Sequence, residues 1–220
     1  MDTLYTLQRS LFTLYNLLPI VIIITLFTVG FGLGNWGMVS IFMGQVAVSI
    51  AVLLLKVISV MFMKGPTGHQ LYSLFPGEVS IQGPSVWLAN ISFFFTCLIS
   101  NAYAVYKKDS PPASGSDPTI AAKVNNRKTR CLMIIVTCAI LAALSIGYRC
   151  FVEFDSTSIL GSISLIIVSI GLGAGAAAIW QILIKQPNIG LQNMDIFGIS
   201  QQLISVTQTD TKTMCELVSQ

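Results

Sequence analysis

The side chains that could carry chemistry are few: a single histidine, His69, five cysteines, and nine acidic against twelve basic residues in a chain of 220. General acid–base or nucleophilic catalysis needs several titratable groups converging on one place. His69 has no second imidazole to work with, and no paired carboxylates occur within any of the long apolar runs. Cys97, Cys131, Cys138, Cys150 and Cys215 show no CxxC spacing, and Cys97 and Cys138 lie inside apolar runs where a thiol acts as a small hydrophobe. These features predict a protein that is not an enzyme and has no cofactor, metal site or disulfide framework.

One string bears on His69. Pro66-Thr-Gly-His69 resembles the central PSGH element of type-2 phosphatidic acid phosphatases, in which histidine chemistry acts on a phosphate. The resemblance covers four residues. That family's site also needs a second histidine as nucleophile and flanking arginine or lysine motifs, and the second histidine is missing here. His69 is therefore expected to be a surface residue of a Pro/Gly-rich loop.

The remaining polar residues within the apolar runs are Asn16, Gln45, Lys56, Asn90 and Asn101, with Arg149 at the end of one run. As a transport pathway they would line a solute route. As packing residues they would join helices, with Gln45 as a bridge near mid-membrane and Lys56 extending its ammonium towards the headgroups. Asn90-Ile-Ser92 is a glycosylation sequon within an apolar run and is expected to be unmodified. Small residues form a pattern: Gly37, Ser40, Gly44, Ala47 and Ala51 recur at three- and four-residue steps, and Gly171 and Gly175 form a GxxxG pair. These faces are expected to pack helices within the chain, with a homo-oligomer contact as the alternative.

The elements that hold these residues follow from composition. Hydrophobic residues make up 54% of the chain and charged residues 10%, against about 25% charged in an ordinary soluble domain. The apolar residues fall into runs long enough to cross a bilayer, and no charge occurs between Arg9 and Lys56. That stretch is about twice the roughly 20 residues one crossing needs, so it should turn once, within the glycine-rich segment 30–37. The expected architecture is an all-α integral membrane protein, a bundle of five transmembrane helices over residues 1–185. Its spans lie at about 11–32, 37–62, 86–106, 131–148 and 159–184. The first is read as a retained span rather than a cleaved signal.

Residues 64–85 form an exposed loop rich in proline and glycine, and residues 107–130 a polar linker whose segment 110–116 is expected to lack structure. The linker ends in a basic group, Lys123, Arg127, Lys128 and Arg130, which could meet anionic lipid or an acidic protein, or serve purely as a topology signal. It holds six of the twelve Lys and Arg residues, which predicts a cytoplasmic position for it and for the C-terminus. In the tail, residues 186–220, Ile196, Ile199, Leu203 and Val206 recur at helical spacing and predict a short amphipathic helix on the membrane or on a partner.

Short loops, few charges, glycine-rich spans and a polar tail after Ile184-Lys-Gln-Pro187 make the chain similar to small multi-span proteins of the internal membrane of large DNA viruses. That resemblance implies a structural role in a virion membrane, tying lipid to a protein shell. The expected function is a non-enzymatic membrane scaffold or anchor. Its partners would be the lipid bilayer and a protein reached through the loops or tail, with no nucleic acid. The alternative is a small transporter or channel component acting as an oligomer and lined by Gln45, Asn90 and Asn101.

Overall fold

The computed structural model describes residues 13, 15–62, 84–107, 118–153 and 159–184, and the regular elements among them are all helices. In chain order they are α1 Leu18–Gly32, α2 Trp36–Phe62, α3 Val86–Lys107, α4 Pro118–Glu153 and α5 Ile159–Ile184. The helices α2 to α5 are long and apolar enough to cross a membrane, whereas α1 has 15 residues. Backbone bonds from the Leu17 N–H to the Thr13 carbonyl and from the Val21 N–H to the Leu17 carbonyl carry helical pairing back beyond its start. His69, the 110–116 segment and the tail with its expected amphipathic helix lie outside the described residues.

The turn between α1 and α2 takes three residues, Leu33 to Asn35, within the expected 30–37 segment. Gly34 has a φ of +63°, the left-handed conformation that ends a helix without a Cβ clash. The Gly34 N–H then donates to the Phe31 carbonyl and the Asn35 N–H to the Gly30 carbonyl, satisfying two carbonyls that the helix end would strand. Asn35 also caps the next helix, its Oδ1 accepting from the Gly37 and Met38 N–H groups at 3.0 and 3.3 Å. One asparagine therefore closes one helix and opens the other, and the pair forms a tight antiparallel hairpin.

Helix α3 is the centre of the bundle and packs against all four others, most extensively against α4 and α5. Leu88, Ala89, Ile91, Phe93 and Ala102 on it are fully buried. One cluster joins Ile41, Val48 and Val52 of α2 to Ala89, Phe93 and Cys97 of α3 and Ala177 of α5. A second joins Trp87, Leu88, Ile91 and Phe95 of α3 to Cys138 of α4. The outer surface is apolar instead: Ile24, Leu54, Leu144, Ile167 and Ile182 are each more than half exposed. Such a surface suits hydrocarbon as solvent.

One sequence expectation needs correction. Helix α4 begins at Pro118, so Pro118–Arg130 is helical where a polar linker was expected, and at its other end the helix runs to Glu153 rather than stopping near 148. Ala121, Ala122, Lys123, Arg127 and Lys128 are good helix formers, and proline suits the first helical position because its missing N–H has no intrahelical partner there. The 36 residues of α4 span about 54 Å, against about 30 Å for a hydrocarbon core.

Candidate functional site

The polar residues inside the bundle meet one another across helix contacts. Gln45 and Ser169 are fully buried, and Asn90 and Ser92 are 2% and 4% exposed. Between α2 and α3, Ser49 Oγ lies 2.9 Å from the Gln45 carbonyl and 3.1 Å from Asn90 Oδ1, while Asn90 Nδ2 donates to Ser49 Oγ at 2.9 Å. Gln45 Nε2 reaches the Asn90 carbonyl at 3.5 Å, the outer limit of a hydrogen bond, and Gln45 Oε1 is buried without a partner.

Between α3 and α5, Ser92 Oγ donates to the Ile170 carbonyl at 3.0 Å, and Gln181 Nε2 donates to the Cys97 carbonyl at 3.2 Å. The Ser85 N–H, just before α3, donates to Ser169 Oγ at 2.7 Å. The indole Nε1 of Trp180 on α5 donates to the Ser40 carbonyl of α2 at 3.1 Å. Interhelical hydrogen bonds of this kind contribute about 0.6 kcal/mol each on average in a membrane. They fix helix register more than they stabilise.

The small-residue faces divide between inside and outside. On α2, Gly37 and Gly44 are buried and Ser40 is half-buried, while Ala47 and Ala51 are exposed. A Cβ on Gly44 would stand 2.4 Å from Phe93 Cζ and 3.0 Å from the Trp180 ring. Beyond Gly44 the inner line passes to Gln45, Val48 and Val52, because burying the Gln45 amide turns Ala47 and Ala51 outward. On α5, Gly171 and Gly175 are exposed with open space where a Cβ would project. The close approach to α3 is made by Ser169, Gly173 and Ala177 instead. A Cβ on Gly173 would lie 2.2 Å from the Ala89 carbonyl oxygen.

At the end of the bundle where α3 starts and α4 finishes, aromatic rings gather around one cation. Tyr15 lies against Trp87 and Tyr148, with ring centres 4.9 and 4.5 Å apart, and its hydroxyl donates to the Ser145 carbonyl. Arg149 Nη1 donates to Asn16 Oδ1 at 2.5 Å, and its guanidinium stands 5.4 Å from the Trp87 ring centre, within cation–π range. Aromatic rings at this level suit the membrane–water boundary.

The opposite end carries the basic group, all on α4. Lys128 and Arg130 are exposed, Arg127 is buried at 7% exposure, and Lys123 is on the helix with its side chain outside the described set. Lys128 Nζ stands 5.9 Å from the ring centre of Tyr106 on α3, and Lys107 beside that tyrosine is exposed. Among the described residues no three His, Cys, Asp or Glu side chains gather as a metal would require.

Sequence reasoning missed the roles of Trp180, Gln181, Ser169, Gly173 and Tyr15. Ser169, Gly173 and Ala177 did carry a signal, since they repeat at four-residue steps like the GxxxG pair beside them. Chemically the arrangement can join helices and present a group of cations at one end. No family model, no curated protein and no solved structure matches the chain.

Proposed function

We propose that the protein is a non-enzymatic, multi-pass membrane scaffold or anchor. The observation that carries this reading is the use of the polar side chains within the apolar helices. Gln45, Asn90, Ser92 and Ser169 are buried in contacts between helices, where they hold the bundle together rather than line a water-filled route. With the outer surface apolar, polar contacts with other molecules fall to the two ends.

Five crossings, with α1 as the first, fit the way the ends come together. Tyr15, Trp87 and Tyr148 group the start of α1, the start of α3 and the end of α4. Trp180 and Ser40 join the end of α5 to the start of α2. The end bearing Lys107, Arg127, Lys128 and Arg130 is then the cytoplasmic one. The helical stem of α4 beyond the hydrocarbon, with the tail, supplies the surface for a protein partner. In the form implied by the viral resemblance, that partner is a shell protein lying over an internal virion membrane.

Cross-linking mass spectrometry of the protein in its native membrane tests this. Links from Lys123, Lys128 or Lys212 to one abundant neighbouring protein are expected. Links confined to the chain itself or to copies of it would overturn the scaffold reading.

A further inference from the structure

Three cations lie at one end of the bundle, close to one depth. Lys107 closes α3, while Lys128 and Arg130 lie on α4, all three exposed. The Lys128 ammonium over the Tyr106 ring sets the end of α3 beside α4 at the point where its polar stem meets its apolar span. Their depth is fixed by the apolar surface next to them: Tyr106 ends the apolar run of α3, and Arg130 immediately precedes Cys131, after which Leu132, Met133 and Val136 are exposed. In a bilayer those side chains face hydrocarbon, so the cations one turn away stand at the level of the lipid phosphates. Lys123 lies farther out, about 10 Å along the helix from Arg130.

We infer that Lys107, Lys128 and Arg130 form a docking surface for the phosphate headgroups of anionic phospholipids in that leaflet. Charge complementarity supports this occupant, and depth favours it over an acidic protein, which would have to enter the headgroup layer to reach Arg130. The tyrosine ring holds the Lys128 ammonium at the edge of the bundle beside α3, while Arg130, two residues on, projects from the other side of α4, so the two cations offer headgroup contacts on separate sides of the helix. The inference rests on the membrane reading above but not on a protein partner, so cross-linking and lipid binding can fail independently.

The test is native mass spectrometry of the full chain in an uncharged detergent, titrated with phosphatidylserine or phosphatidylcholine. Preferential retention of phosphatidylserine is expected. Each cation near an anionic surface corresponds to about a fivefold change in affinity. The double variant K128Q/R130Q should therefore lose roughly 30-fold for phosphatidylserine, by the same relation, with phosphatidylcholine unchanged. The charge-preserving K128R/R130K should retain binding. If circular dichroism shows that the double variant has lost helix, K128Q alone should lower affinity about fivefold. Equal retention of the two lipids, or unchanged phosphatidylserine affinity in the glutamine variants, would overturn the proposal. So would full displacement by millimolar inorganic phosphate, or stronger retention of a polyglutamate peptide than of phosphatidylserine.

Discussion

The two faces of α5 differ most at single residues. A leucine at Gly173 would drive its first carbon into the Ala89 carbonyl, a backbone atom that moves only if α3 moves with it. Overpacking of this kind costs about 1–3 kcal/mol, and Gly173→Leu should reach at least that range. Gly175 has open space around it, so Gly175→Leu should change stability by less than about 0.5 kcal/mol. Equilibrium unfolding of the two variants in mixed micelles measures the contrast. A cost for Gly175→Leu as large as that for Gly173→Leu would mean that the outer face is packed too, most simply against a second copy. Gln45 shows a different trade at the same scale. Its amide nitrogen reaches the Asn90 carbonyl only at 3.5 Å and its oxygen has no partner, so its burial is explained more by fit between α2 and α3 than by hydrogen-bond strength.

Among the elements, the stem of α4 departs furthest from a reading of polarity alone. Amides from Asn125 to Arg130 should exchange with deuterium slowly, as backbone hydrogen-bonded in a helix does, and exchange at the rate of free chain would contradict the helix. The sequence misled here because Lys, Arg and Asn mark a segment as outside the hydrocarbon without saying whether it is helical. Helix propensity in Ala121-Ala122-Lys123 pointed the other way. Elsewhere the apolar runs read well: the boundaries of α2, α3 and α5 lie within a residue of the expected spans, because charged and interfacial residues mark both limits of a run. The face each helix presents was less legible. In Gly171-Leu-Gly-Ala-Gly-Ala-Ala-Ala178 several registers of small residues compete. The register used is set by the Ser169 hydroxyl and its bond to Ser85, a partner far away in sequence. The Arg149 cluster was likewise hidden, since Tyr15, Trp87 and Tyr148 come from three distant segments.

At the scale of the whole molecule, alternating helices predict which residues share a side of the membrane. In a background with Cys150 and Cys215 replaced by serine, Leu33→Cys and Thr129→Cys should react with an impermeant thiol reagent from one side, and Thr13→Cys from the other. The native Cys97, Cys131 and Cys138 are buried and should stay silent. Labelling of Leu33→Cys and Thr13→Cys from the same side would mean that α1 does not cross. The central position of α3 also bears on how such a protein is made. Half of its span is buried, and it is the least apolar of the four long spans, as suits a helix that faces protein rather than lipid. During synthesis it emerges before α5 exists to cover Ser92 and the Ala89 carbonyl that Gly173 meets. The hairpin of α1 and α2 is the surface ready to receive it and pairs Asn90 with Ser49 at once, so assembly should pass through a three-helix intermediate whose Ser92 side stays open until α5 arrives.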